Sequence, residues 1–427
     1  MGLGKYFKVA LLIALVYVFI FNPPIKSLPS LTWLLLPFVY GYLIYYSLTA
    51  KMIYLFKNEI IIILLLVLYT IIRDFDWSSG LLTKVFMFGN ATLITDVIPF
   101  SFFIADVCYR KIKLPRNVSV DNRLIDIILW TCFIGALITI ILLASPSLAF
   151  KMNNKILESS DYQQNNILRG FGFSSFLFYS YGIVQGVAAA LLLLKMSRSN
   201  KYLLVYILVF VMLLISILVN ARIGMVPVIV MTLYLIFIKG KIKIFLYGTS
   251  VVGVMLWVFL SSSFAEKYAK TIDWATSFFT QTFGFVSNNN SPRSTNTYSV
   301  LFDKMFILPD DFMGWIVGTG DDLFFKSYGN SDVGFIRQLY FGGILYLGLI
   351  ILLIYIMSLR IYKLKKYGWF LVLFFFTVIF SNIKSNFISN QPGLRILVLM
   401  YMGFIYYSYK ERTNKKLTQP GIDYLSR

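Results

Sequence analysis

The chain has 427 residues, 58% of them hydrophobic and 14% charged, well away from the roughly 45–50% apolar and roughly 25% charged makeup of soluble domains. Lys and Arg number 39 against 19 Asp and Glu, a net charge of +20, and there is no histidine. Imidazole metal sites and Ser-His or Cys-His nucleophiles are therefore excluded, and with only Cys108 and Cys132 no disulfide framework or thiolate zinc site is expected.

A hydrocarbon layer of about 30 Å is crossed by roughly 20 helical residues. Apolar runs of that order predict helices over 5–22, 31–50, 58–73 and 88–109, then 124–145, 173–195, 202–220, 223–239 and 242–262, and last 334–357, 368–385 and 392–409. The fold class is thus an all-α polytopic membrane protein of about twelve transmembrane helices. The first run lacks an A-x-A-like cleavage site and leads into Phe21-Asn22-Pro23-Pro24, so it is expected to be retained and followed by a turn.

Basic residues fill alternate connections: Lys51 and Lys57, Arg110 to Arg123, Lys195 to Lys201, Lys239 to Lys243, Arg360 to Lys366, and the tail from Lys410. Short loops rich in Lys and Arg stay inside, which places both termini in the cytoplasm. The positive balance then follows from insertion and from anionic lipid rather than from nucleic-acid binding. Two long loops fall on the outer side, at 146–172 and 263–333. The organisation is nine helices over 1–262, a large outer loop over 263–333 with an amphipathic segment near 298–306, three helices over 334–409, and a basic tail over 410–427. Unstructured connections beyond about 12–15 residues are uncommon unless they carry a function, so chemistry is expected on the outer side.

Four arginines share that side: Arg169 before the sixth helix, Arg222 in the tight turn Asn220-Ala221-Arg222, Arg293 in the long loop and Arg337 at the start of the tenth helix. A guanidinium at a helix end can simply snorkel to the interface. A group of them, with forked donors matched to phosphate oxygens, suits a pyrophosphate without a metal. Among the acids, Asp332 stands where a loop becomes a helix, which fits a helix cap or a base for a sugar hydroxyl; Asp321 and Asp322 fit the second role or plain loop solvation. Asp96, inside the fourth helix, is a functional candidate or the partner of Arg73 or another cation. Asp106 and Arg110 fit an i,i+4 ion pair.

Arg169-Gly170-Phe171-Gly172, Arg222 in its turn, Pro292-Arg293, Pro309 through Gly318-Thr319-Gly320, and Ser331-Asp332-Val333-Gly334-Phe335 together resemble the bacterial O-antigen polymerases (Wzy-type), relatives of the O-antigen ligases. The resemblance implies a glycosyltransferase of the inner membrane, without cofactor or metal, that joins undecaprenyl-pyrophosphate-linked repeat units at the periplasmic face. It implies a lipid-linked glycan as both donor and acceptor, and a chain-length regulator as partner. By the same resemblance Arg222 and Arg293 grip the pyrophosphate, Arg169 assists, and Asp332 orients or deprotonates the acceptor, with Arg337, Asp321 and Asp322 in substrate-binding roles. Ligases carry a histidine where this chain has Asp332, which favours polymerase. A flippase for the same lipid-linked unit is the main alternative, although the two outer loops are unequal and no repeat is evident.

Overall fold

In a computed structural model the described residues are 3–26, 28, 30–74, 84–110, 120–145, 147–148, 151–152, 172–174, 179–198, 202–241, 253, 305–323, 331, 333–388 and 392–418. Among them the secondary structure is helical, with no β-strand. Each predicted helical range other than 242–262 holds helix; of 242–262 only residue 253 is described, and most of both long outer loops also lies outside the described residues. Among the described residues six helices are long and apolar enough to cross a membrane, or seven if one bent pair counts as a single span.

Helix α1 (Leu3–Phe21) ends at the predicted turn, where Asn22 takes φ 38°. The Asn22 side-chain carbonyl accepts hydrogen bonds from Ser30 Oγ at 3.0 Å and Thr32 N at 3.3 Å, tying the turn to the next helix. The predicted 31–50 span is two helices, α2 (Leu31–Tyr45) and α3 (Leu48–Leu55), bent by 94°. The bend sits at Ser47, in the left-handed region at φ 50°, a conformation that ends a helix. Helix α4 (Lys57–Asp74) follows.

The predicted 88–109 helix starts earlier, as α5 (Lys84–Thr92), and continues through a π turn at Leu93–Val97 into α6 (Ile98–Arg110). Pro99 is the physical reason for the widening: it has no N–H to offer the Thr95 carbonyl and its ring would crowd it. The Tyr40 hydroxyl supplies the missing donor at 2.9 Å. Next come α7 (Val120–Ala144), α8 (Tyr179–Met196), α9 (Leu203–Asn220), a 3-10 turn at Arg222–Gly224, and α10 (Met225–Leu233) with a π turn at Tyr234–Ile238. After the short α11 (Phe312–Val317), the chain ends in α12 (Gly334–Lys363), α13 (Gly368–Lys384) and α14 (Pro392–Thr418).

The core is built on α8 and α14. Residues 180–194 and 392–407 are buried on every face, as expected of helices apolar all round. Helix α8 packs against α7, α9, α10 and α14, and α14 runs along α6. Helix α9 lies at the rim, with Leu204 83% and Leu208 61% exposed, where lipid would cover them.

One end of the bundle gathers ion pairs. Arg110 reaches Asp106 at 2.8 Å, as the i,i+4 spacing predicts, and Tyr42 and Tyr406 donate to the same carboxylate. Arg360 clasps Glu59 at 2.6 and 2.8 Å, with Tyr401 donating to that acid. Lys366 pairs with Asp121, and Lys195 with Asp126. These helix ends are the ones that the charge pattern assigns to a common side.

Candidate functional site

At the opposite helix ends, two backbone platforms present the charged residues. The first is the Arg222 turn. Gly182 and Gly186, four apart on α8, lie directly under it: a Cβ on Gly182 would come within 2.8 Å of the Ala221 carbonyl, and one on Gly186 would overlap the Gly224 carbonyl. Gly224 is equally intolerant, because its Cβ would overlap the Gly182 carbonyl. This is backbone-on-backbone packing of the kind small residues four apart allow between membrane helices. The Gly224 N–H closes the turn onto the Ala221 carbonyl at 3.0 Å. Below, Asn220 donates to the Ser216 carbonyl at 2.9 Å, and Ser216, Thr139 and Tyr181 continue a buried hydroxyl chain. Arg222 itself is half-buried.

The second platform is a glycine loop docked on a broken helix. Within α12, Gly343 adopts φ 63° and ψ −168°, so the helix ladder fails there and carbonyls upstream lose their partners. Thr319 N–H donates to the Tyr340 carbonyl at 2.8 Å and Gly320 N–H to that of Phe341 at 2.9 Å, while Thr319 Oγ1 donates to Tyr340 at 3.0 Å. Loop and helix touch so closely that a Cβ on Gly318 or Gly343 would overlap the facing main chain. The Tyr69 hydroxyl lies 2.8 Å from the Gly342 carbonyl and 2.9 Å from that of Val317. Arg73, in the last turn of α4, donates through Nη2 to the Gly318 carbonyl.

This docking sets the position of the next residues. Asp321 N–H donates to Thr319 Oγ1 at 3.2 Å. Asp322 receives a two-pronged bond from Arg337, with Nε at 2.8 Å and Nη2 at 2.5 Å. Arg337 is 7% exposed, and a buried guanidinium demands such pairing. The next residue, Gln338, exchanges hydrogen bonds with Asn382 at 3.1 and 2.9 Å and donates to Asn386 at 2.8 Å. The start of α12 is thereby locked to the end of α13, where Gly334 has room for no side chain beside Ser385 and Asn382.

Of the residues singled out in the sequence, Asp322 and Arg337 come together, Asp321 adjoins them, and Arg222 stands on its own clamped turn. Arg169, Arg293 and Asp332 lie outside the described residues. Asp96 pairs with Arg395 at 2.6 Å rather than with Arg73, both side chains being buried, and Arg395 also donates to the Phe19 carbonyl at 2.6 Å. That makes Asp96 a partner in an interhelical tie. Sequence reasoning passed over Arg73 as a site residue, the Gly182/Gly186 pair and the Gln338–Asn382–Asn386 cluster. The spacing of the two glycines in an apolar helix was the available signal; nothing local marked the others. Among the described residues no three Cys, Asp or Glu converge as a metal site would need.

No protein-family model, no curated protein and no solved structure matches the chain. The described residues define the class: a helical protein with helices long and apolar enough to cross a membrane and arginines set on closely packed backbone.

Proposed function

We propose that the protein is an O-antigen polymerase of Wzy type, a metal-independent inverting glycosyltransferase with about twelve crossings and both termini cytoplasmic. It joins undecaprenyl-pyrophosphate-linked repeat units at the periplasmic face of the bacterial inner membrane. The observation that carries this reading is the rigid presentation of Arg222 by a turn packed on glycines, at the helix ends away from the Arg110 and Arg360 pairs. Pyrophosphate is already a good leaving group, so catalysis reduces to neutralising its developing charge and aligning an acceptor.

In the reaction an acceptor hydroxyl attacks the anomeric carbon as its bond to the lipid pyrophosphate breaks. The leaving oxygen takes the electron pair, and guanidinium groups stabilise it. Both oxygens of Asp322 are engaged by Arg337, so the hydroxyl proton passes to Asp332 or Asp321. Arg169 and Arg293 complete the grip, and a chain-length regulator acts as partner. Reconstitution in vesicles with a synthetic undecaprenyl-pyrophosphate repeat unit tests this: a ladder of longer glycans is expected, and its absence refutes the proposal.

A second reading, a transporter for the same lipid-linked unit, draws support from the break at Gly343 and the 94° bend between α2 and α3, since interrupted helices mark transporter binding sites. Movement of the unit across the vesicle membrane without extension would favour it. An O-antigen ligase would instead pass the glycan to a different acceptor.

A further inference from the structure

We infer that Arg73 binds the headgroup of a prenyl diphosphate at the glycine loop; this rests on the proposed lipid-pyrophosphate chemistry and adds a residue to it. Glycine loops usually hold phosphates through backbone amides. Here that route is closed, because the Thr319 and Gly320 N–H groups are bonded to the Tyr340 and Phe341 carbonyls of α12. An anion at this loop must therefore be held by side chains. The Arg337 fork is already filled by Asp322, and a phosphate would have to displace a buried carboxylate to use it.

Arg73 differs. Its only hydrogen-bond partner among the described residues is the Gly318 carbonyl. Its Nε is buried without a partner, and no described carboxylate forms an ion pair with it. A half-buried cation set against a neutral acceptor leaves charge and donors unsatisfied, and an arriving phosphate supplies both needs. The loop keeps Arg73 close: a Cβ on Gly320 would stand 3.6 Å from Arg73 Nη2.

The lipid part of the ligand is read from the same helix. Leu64, Leu65, Leu68, Ile71 and Ile72 of α4 are 41–70% exposed, one apolar face of the helix; Arg73 is the next residue after Ile72, about 100° further round the helix. A prenyl chain lying along this face brings its diphosphate to the end of α4, level with the guanidinium in the helix's last turn. Free inorganic pyrophosphate would gain nothing from the apolar face.

The test is binding of farnesyl pyrophosphate to the purified full-length protein in detergent, with farnesyl monophosphate and inorganic pyrophosphate as comparisons. Wild type is expected to bind the prenyl diphosphate at least tenfold more tightly than inorganic pyrophosphate. Arg73→Gln is expected to lose at least tenfold in affinity, and Lys57→Gln, at the other end of α4, to lose none. If Arg73→Gln does not fold, Arg73→Lys decides, since it keeps a donor for Gly318 and loses the fork; unchanged affinity in that variant overturns the inference. Failure of wild type to bind, or equal affinity for inorganic pyrophosphate, overturns it as well. Arg73-dependent binding with no glycan ladder in the reconstituted system would uphold the headgroup site while refuting the polymerase reading.

Discussion

The two ends of the helix bundle treat their arginines in opposite ways. At one, Arg110 and Arg360 face carboxylates, and tyrosine hydroxyls close each group into a satisfied network. At the other, Arg222 rises from a turn pressed onto two glycines, and Arg73 reaches a main-chain carbonyl. Cations that are fully answered by acids hold helices together; Arg73, answered among the described residues by a carbonyl, retains capacity for a ligand. Asp322 and Arg337 are intermediate, paired like the first set and placed among the second.

Substitutions can break this contrast. The largest expected effect is on activity: Arg222→Ala should abolish chain extension while the amount of protein in the membrane stays normal, as read by immunoblot beside the glycan ladder. Extension at the wild-type rate would remove Arg222 from the reaction. Next is stability at the paired end, where Glu59→Gln strips Arg360 of its charge partner. Breaking a buried pair from one side costs about 3–5 kcal/mol, and thermal unfolding in detergent should show it as a clear fall in midpoint. The smallest effect sharpens the comparison. Gly186→Ala places a methyl group against the Gly224 carbonyl and should cost about 1–3 kcal/mol, with an activity loss larger than that destabilisation explains because the Arg222 turn moves.

Much of the helical framework was legible because apolar run length is a local property. The departures have local causes that the run length hides: Ser47 interrupts an otherwise apolar stretch, and Pro99 widens a helix without ending it. The Arg222 turn was legible too, since only a few polar residues separate two apolar segments. The glycine loop was not. Its meaning lies in a partner more than twenty residues away, where Gly343 frees carbonyls that Thr319 and Gly320 answer, and no pattern within Gly318-Thr319-Gly320 announces that pairing. For the same reason Asp96 could be flagged as an ionisable group in an apolar span, while its partner Arg395, 299 positions away, could not be named.

That separation recurs. Glu59 finds Arg360 301 positions later and Asp106 finds Tyr406 300 positions later. At about 5–20 residues per second, a ribosome needs some fifteen seconds to a minute to cover such a gap. During that interval Glu59 and Asp96 of the early helices wait for cations still being made, whereas Asp106 already has Arg110 four residues on. Biogenesis therefore has a built-in checkpoint: a nascent chain cut short before its final helices carries unanswered charge into lipid, and the membrane's own quality-control proteases have a physical signal by which to tell the fragment from the finished protein.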